Sequence, residues 1–131
     1  MVPLLSDGSV VLIKQYRHCV GEAIWEIPAG RLEPDESPMD CAKRELVEEV
    51  GFKATNLQKL AEIYSAPAYC TEIIYIFLAT ELIADKQELE DDEIINVVTV
   101  PFAEAIEKVK AGEIKDAKTV AGLLLANERG R

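Results

Sequence analysis

Apolar stretches bounded by turn residues divide the first two thirds of the chain into strands. Short apolar runs of this kind are typical of strands, and a nearly unbroken run indicates burial on both faces. The runs predict strands at residues 9–17, 25–27, 57–65, 72–82 and 94–100, with the first forming a hairpin with residues 3–5. Residues 73–78 are apolar at every position, so that strand is expected to lie inside the sheet.

A helical period replaces the strand pattern at residues 38–50. Ser37 is a good N-cap, Pro38 suits the first helical position, and Gly51 stands where a left-handed stop is needed. At 100° per residue the apolar side chains of this segment form one stripe, made of Met39, Ala42, Leu46 and Val50. Two more helices are predicted at residues 102–111 and 117–128. The order of elements favours one α/β domain over residues 1–131, with helices on the faces of a mixed β-sheet.

Three acidic side chains form a second stripe on the same helix, directly beside the apolar one. Glu45, Glu48 and Glu49 are one, three and four positions apart, so they share a face and would repel one another if left unpaired. A hard divalent cation such as Mg²⁺ relieves that repulsion because it prefers carboxylate oxygens. Arg44 lies one turn before Glu48 and can pair with it. Taken alone, the helix leaves an ordinary acidic surface helix open as an alternative.

Composition limits the partners. The chain has 131 residues with 24 acidic and 14 basic side chains, a formal net charge of −10. This balance argues against nucleic acid and anionic membranes as partners, but it allows a small phosphorylated molecule held through metal ions or a few arginines. The three cysteines lack ligand spacing, and neither an export signal nor a membrane-length apolar run is present. These features predict a cytoplasmic location.

The spacing around the acidic helix resembles the Nudix box. Gly30 is followed after five residues by Glu36, and after seven more by residues 44–52, which read RELVEEVGF. The resemblance implies a Nudix-type α/β/α sandwich. It also implies a pyrophosphohydrolase that uses Mg²⁺ or Mn²⁺ to hydrolyse a nucleoside diphosphate linked to another moiety.

The resemblance also assigns roles to residues of the box. It implies metal ligation by three carboxylates and one backbone carbonyl, those of Glu45, Glu48, Glu49 and Ala29. Glu45 and Glu49 match the principal ligands and are therefore the implied catalytic pair. Glu36 and Arg44 are expected to brace the preceding loop against the helix rather than to contact substrate.

Shorter segments resemble the ADP-ribose pyrophosphatase branch of the family. They read QYR at residues 15–17, WEIPAG at 25–30 and GEI at 112–114, and Pro67 follows Phe52 by 15 residues. The resemblance implies cleavage of ADP-ribose to AMP and ribose 5-phosphate, with Arg17, Pro67 and Glu72 as substrate-binding residues. Arg17 can equally pair with an acid at the end of its strand, and Pro67 can simply shape a turn.

An acidic run at residues 88–93, ELEDDE, leads directly into the predicted strand at 94–100. Such a run is ordinarily a solvated charged loop. Hydrolysis, however, needs a base that metal-bound glutamates do not readily supply, and a loop carboxylate can accept a proton from the attacking water. The resemblance implies Glu93 as that base, with Glu90 as the alternative.

Other functions remain open. The substrate could be a sugar nucleotide such as GDP-mannose, a dinucleoside polyphosphate or a nucleoside triphosphate. A non-catalytic nucleotide-binding Nudix module is the alternative from another class, although such modules would be expected to lose box glutamates. The resemblance also implies a homodimer, formed in similar proteins through extra N-terminal strands. Because Met1 stands close to the first core strand, either a compact variant or a late recorded start is expected.

Overall fold

The computed structural model of the protein describes residues 1–89 and 94–130. Within these ranges the chain forms six strands and three helices, numbered here in chain order. The strands are β1 Val2–Pro3, β2 Ser9–Arg17, β3 Glu22–Glu26, β4 Phe52–Tyr64, β5 Ile73–Ala84 and β6 Ile95–Pro101. The helices are α1 Pro38–Val50, α2 Phe102–Lys110 and α3 Ala117–Glu128. None of these helices is long and apolar enough to cross a lipid bilayer.

The described strands pair in two three-stranded sheets. In the first sheet β5 lies between β1, which runs parallel to it, and β4, which runs antiparallel. In the second sheet β2 lies between β3 and β6, and both pairings are antiparallel. The predicted mixed sheet is therefore confirmed. The predicted hairpin of residues 3–5 with β2 is present only in part: an antiparallel bridge joins Leu4 to Val10 and the Leu5 N–H donates to the Ser9 carbonyl at 2.8 Å. Pro3 pairs with Ala79 of β5 instead.

Both central strands are buried on both faces. Successive side chains of a strand point to opposite sides, so each strand supplies two apolar layers. In β2, Val10 and Leu12 pack in one cluster, the first core, while Val11 and Ile13 pack in another, the second core. In β5 the matching pairs are Ile76 with Leu78 in the first core and Phe77 with Ala79 in the second. The expected burial of residues 73–78 is confirmed at Ile76, Phe77 and Leu78, but it is wrong at Ile73, which is 41% exposed.

Helices cover the two cores from opposite sides. Phe102 of α2 and Leu123 of α3 are buried in the first core, whereas Leu46 and Val50 of α1 are buried in the second. The predicted α/β/α sandwich is confirmed by this arrangement. It also fixes α1 against the strands along its apolar stripe, so the neighbouring acidic stripe has a defined position.

Helix α1 begins and ends where its sequence signals predict. The Ser37 hydroxyl accepts a hydrogen bond from the Asp40 backbone N–H at 3.1 Å, and Gly51 ends the helix with φ of 70°. Gly51 is needed there because a left-handed φ is strained for residues that carry a side chain. The prediction was wrong for Met39, which is 40% exposed and lies outside the second core. It belongs to the first turn, at the end of the helix farthest from Val50.

Two of the edge strands, β3 and β4, differ from their predicted bounds. Strand β4 begins at Phe52, not at residue 57, and pairs with β5 along its whole length from Phe52 opposite Ala84 to Tyr64 opposite Ile73. Strand β3 spans Glu22–Glu26 rather than residues 25–27. Many side chains of both strands are exposed, so their sequences lack the continuous apolar runs that mark the central strands.

Candidate active site

The acidic stripe of α1 lies along a cleft of about 950 Å³. Glu45, Glu48 and Glu49 line it, and Glu49 is only 3% exposed although it carries a carboxylate. A buried carboxylate needs polar partners, because losing its hydration without replacement is costly. The Glu49 side chain accepts a hydrogen bond from the Ala29 N–H at 2.8 Å. This bond connects the loop that precedes α1 to the buried end of the acidic stripe.

Arg44 connects the same loop to the rest of the stripe. Its Nε and Nη2 donate to the two carboxylate oxygens of Glu36 at 2.9 and 3.0 Å, and its Nη1 donates to Glu45 at 2.8 Å and Glu48 at 2.9 Å. Nη2 also donates to the Arg31 carbonyl at 3.0 Å. The Arg44 bonds lower the pKa of Glu36 to about 2, and the Glu36 bonds raise the pKa of Arg44. The structure thus contains both the predicted Arg44–Glu48 pair and the predicted brace between loop and helix.

Two further contacts bring the loop close to the helix. The position that a side chain on Gly30 would occupy is taken by the Glu45 carboxylate, whose carbon lies 1.8 Å from where the Cβ would stand. The Cys41 thiol, which is buried beneath the loop, contacts the Arg31 carbonyl at 3.3 Å. Burial raises the pKa of this thiol to about 11, so it stays protonated and can donate to that carbonyl. A side chain at position 30 would therefore displace the Glu45 carboxylate from its place beside the loop.

The carboxylate oxygens on the acidic face of α1 are suitable ligands for a hard divalent cation. Mg²⁺ and Mn²⁺ prefer oxygen ligands, and Glu45, Glu48 and Glu49 present carboxylates to one cleft. Within residues 1–89 and 94–130 no three acidic, histidine or cysteine side chains already converge as a metal cluster. The bonds from Arg44 hold two of the three carboxylates instead. This face therefore provides suitable ligands, but it does not form a closed metal cage.

A second group of charges reaches the same cleft through Arg17, Asp116 and Lys118, and of its members only Arg17 has a role predicted from the sequence. Glu26 is 1% exposed; it accepts hydrogen bonds from Arg17 Nε at 2.6 Å and Nη2 at 2.9 Å, and from Lys118 Nζ at 2.5 Å. Lys118 also donates to Asp116 at 3.0 Å. Burial by itself would raise the pKa of Glu26, but the bonds from Arg17 and Lys118 outweigh it and hold that pKa below its usual range. The sequence signal that could have pointed to Glu26 is its position between two apolar residues, Trp25 and Ile27.

The structure brings most of the predicted site residues to the same cleft. The residues that line it include Arg17, Ala29, Glu45, Glu48, Glu49 and Glu72. Pro67 lies in an exposed turn, closed by a bond from the Cys70 N–H to the Ala66 carbonyl at 2.9 Å, and is not among the lining residues. The functional roles of all these residues remain predictions.

Glu93 and its alternative Glu90 lie outside the described residues. The chain just before them is fastened to the end of α1. The Gln87 side chain donates to the Glu49 carbonyl at 2.6 Å, and the Glu88 N–H donates to the Glu48 carbonyl at 3.1 Å. The segment that leads to the predicted base is thus attached to the backbone of two predicted metal ligands.

Comparison with known proteins identifies the class to which this fold and site belong. The NUDIX domain family matches residues 1–123, and the chain therefore belongs to the Nudix family. It is 39% identical to an ADP-ribose pyrophosphatase of Bacillus subtilis over 91% of its length, and 41% identical to a GDP-mannose pyrophosphatase of Yersinia enterocolitica over 95%. These alignments cover 65% and 69% of the two relatives, so the chain spans about two thirds of their length.

The chain is also similar to a relative with a different name and to a protein of known structure. A methanol dehydrogenase activator of Bacillus methanolicus is 33% identical over 92% of the chain and 66% of its own length. A crystal structure described as an ADP compounds hydrolase superposes with a TM-score of 0.88 at 30% identity, covering 98% of this chain and 69% of that one. The predicted family, its fold and the resemblance to ADP-ribose pyrophosphatases are confirmed by these matches.

Proposed function

We propose that the chain is a divalent-metal-dependent pyrophosphohydrolase that cleaves ADP-ribose to AMP and ribose 5-phosphate. The observation that carries the proposal is the placement of Glu45, Glu48 and Glu49 on one wall of a cleft large enough for a nucleotide, with Arg44 holding two of them in place. The similarity to the Bacillus subtilis protein supports ADP-ribose as the substrate to test first.

In this proposal Glu45, Glu48 and Glu49 hold Mg²⁺ or Mn²⁺, and the Ala29 carbonyl is the fourth ligand. When bound, such an ion neutralises charge on the diphosphate and lowers the pKa of a coordinated water. A water oxygen forms a bond to one phosphorus, and the bond from that phosphorus to the bridging oxygen breaks. Glu93, or Glu90 in its place, accepts the proton lost by the attacking water.

A second substrate is favoured by one specific observation. The Yersinia enterocolitica relative, named as a GDP-mannose pyrophosphatase, is 41% identical, about as similar as the Bacillus subtilis protein. GDP-mannose has the same diphosphate linkage, so the metal ligands would serve both substrates equally. Discrimination would then fall on other cleft residues, among which we propose Arg17 and Glu72. Pro67 would act by shaping the substrate-side turn.

Several finer proposals accompany this function. We propose that residues 1–131 form a single Nudix hydrolase domain, located in the cytoplasm and able to form a homodimer. Reducing conditions suit the three free cysteines, of which Cys41 is buried. Size-exclusion chromatography with light scattering would test the dimer: a constant monomer mass at all concentrations would contradict it.

Turnover of a substrate panel tests the function. The panel comprises ADP-ribose, GDP-mannose, a dinucleoside polyphosphate and a nucleoside triphosphate, each with Mg²⁺, with Mn²⁺ and with excess EDTA. We expect AMP from ADP-ribose with either metal and none with EDTA. Absence of product from every compound, combined with measurable binding, would contradict the hydrolase and favour a nucleotide-binding module.

Two variants test the predicted metal ligand Glu49 and the predicted base Glu93. Loss of a residue that merely orients a metal ligand costs roughly 10–100-fold in activity or affinity, so Glu49→Gln is expected to lower kcat by at least roughly 100-fold. Glu107→Gln, in an exposed pair with Lys110 on α2, is the matched control and should remain fully active. Glu93→Gln is expected to lower kcat by roughly 100-fold or more with KM kept. A fully active Glu49→Gln would remove the metal assignment, and an unchanged kcat in Glu93→Gln would place the base elsewhere.

A further inference from the structure

Glu26 is a buried carboxylate whose charge is shared by two cations from different elements. It lies at the end of β3, whereas Arg17 ends β2 and Lys118 belongs to the first turn of α3. Its two oxygens accept all three bonds from these cations. A carboxylate buried this deeply is stable only when it is fully paired. These three side chains, called the Glu26 trio (Glu26, Arg17 and Lys118), therefore restrict one another's positions.

The Arg17 guanidinium is only partly used by this pairing. Its contacts with Glu26 involve Nε and Nη2, which form a two-point bond of the kind that fixes the plane of a guanidinium. A guanidinium has five N–H donors, so three are not used by Glu26. The Arg17 side chain is 45% exposed and lines the cleft that contains the acidic stripe. Arg17 can thus bind Glu26 and a second anion at once. The two roles considered for it from the sequence, pairing with an acid and binding substrate, are therefore compatible.

We infer that Glu26 is a positioning residue that holds Arg17 ready for the anionic substrate. This inference rests on the proposed function, because it assigns the phosphate groups of the diphosphate to Arg17. A free arginine side chain has several rotatable bonds, and ordering them on binding weakens affinity. Glu26 removes that freedom before the substrate arrives. Lys118 donates the third bond to Glu26, and together with Arg17 it holds the pKa of Glu26 below its usual range, so the carboxylate stays an acceptor for Arg17.

Replacing Glu26 with glutamine tests this role because the side chain keeps its shape and loses its charge. An amide has one acceptor oxygen, so the two-point bond to Arg17 is lost. We expect Glu26→Gln to raise KM for the diphosphate substrate by roughly 10-fold while kcat changes less than about twofold, since a contact made equally before and during the reaction affects KM alone. Glu22→Gln is the matched control: Glu22 lies on the same strand, but it is exposed and pairs with Lys115.

A double-substitution cycle separates positioning from a merely structural effect. If Glu26 acts through Arg17, then Glu26→Gln should raise KM by less than about twofold in an Arg17→Gln background. Arg17→Lys is a second, independent test that leaves Glu26 and its Lys118 bond intact. It keeps the positive charge without the two-point bond, so it should raise KM about as much as Glu26→Gln does. This variant keeps the proposal testable if Glu26→Gln fails to fold.

The outcomes distinguish this proposal from the proposed function. A folded Glu26→Gln with unchanged KM, an Arg17→Lys with unchanged KM, or a full KM effect of Glu26→Gln in the Arg17→Gln background would overturn the positioning role while leaving hydrolysis intact. Calorimetric binding of α,β-methylene ADP-ribose, which resists cleavage, provides the affinity readout without turnover. A wild type that binds it but cleaves nothing overturns the proposed function alone, and one that does neither overturns both.

Discussion

Replacing Gly30 with alanine tests whether the Glu45 carboxylate must lie where the structure places it. A Cβ at this position would stand 1.8 Å from the carboxyl carbon, whereas ordinary contact begins at 3.4 Å. The carboxylate therefore has to move by about 1.6 Å, the difference between these two distances. Metal ligands tolerate deviations of only about 0.2 Å. The backbone of Gly30 needs no positive φ, so alanine introduces no strain of its own.

The shift of the Glu45 carboxylate in Gly30→Ala should reduce activity much more than it reduces stability. A misplacement of about 1 Å in a catalytic arrangement can cost roughly 100-fold, so we expect kcat/KM to fall by about that factor, or about 2.7 kcal/mol of transition-state stabilisation. The moving group is the end of a flexible side chain, and its bond to Arg44 is partly exposed. The free energy of unfolding should therefore change by at most about 1 kcal/mol.

The assay combines hydrolysis, metal titration and thermal unfolding of Gly30→Ala, Glu45→Asp and the double variant. Aspartate withdraws the carboxylate by one methylene, so the double variant should lose less activity than the product of the two single losses predicts. The metal concentration for half-maximal activity should rise in Gly30→Ala. A variant that is folded, has wild-type kcat/KM and keeps its metal requirement would refute the reasoning that the Glu45 carboxylate must lie where the structure places it.

Two other predictions concern stability. The pKa of Glu36 is lowered from 4.5 to about 2 by Arg44, so its ionised form stabilises the fold above about pH 4.5, and this contribution is lost as the pH falls towards 2. Glu36→Gln should therefore show a shallower fall of Tm between these pH values than the wild type does, and parallel curves would contradict the pairing. The Oγ1 of buried Thr119 accepts from the Ile27 N–H at 2.8 Å, so Thr119→Val should lose about 1–3 kcal/mol in urea denaturation, and an unchanged midpoint would argue against this bond.

The part of the site on α1 could be predicted because its determinants are local in sequence. Capping by Ser37 and Gly51 and the 3.6-residue period act within a few positions, so they fix the helix and the face on which its acids lie. The Arg44–Glu48 pair follows from one helical turn. The same local reasoning could not show that Arg44 also reaches Glu36, because that contact depends on the path of the preceding loop; the brace was predicted only from the resemblance.

The Glu26 trio could not be predicted for the same physical reason. Its partners come from positions 9 and 92 residues away, and only the pairing of β2 with β3 and the docking of α3 bring them together. An acid next to an apolar strand residue signals either an exposed edge or a buried pair, and a single sequence does not separate them. The bounds of β3 and β4 were missed because edge strands keep a partly polar pattern.

Burial of β2 on both faces has a consequence for how the chain aligns its strands. A slip of one residue normally moves apolar side chains into water and is penalised for that reason. In β2 such a slip would exchange Val10 with Val11 and Leu12 with Ile13 between two apolar layers, and only at the ends of this run would a polar residue, Ser9 or Lys14, enter a buried position. Polarity alone therefore gives this strand little protection against misalignment.

The turn that precedes the strand adds fixed contacts that oppose misalignment. Gly8 has a φ of 84°, and the Asp7 side chain accepts from the Ser9 N–H at 2.9 Å. The Gly8 carbonyl also accepts from the Phe102 N–H at 3.2 Å, at the end of β6, although the two residues are 94 positions apart. A short surface turn thus helps to fix the alignment of a strand that is buried on both faces.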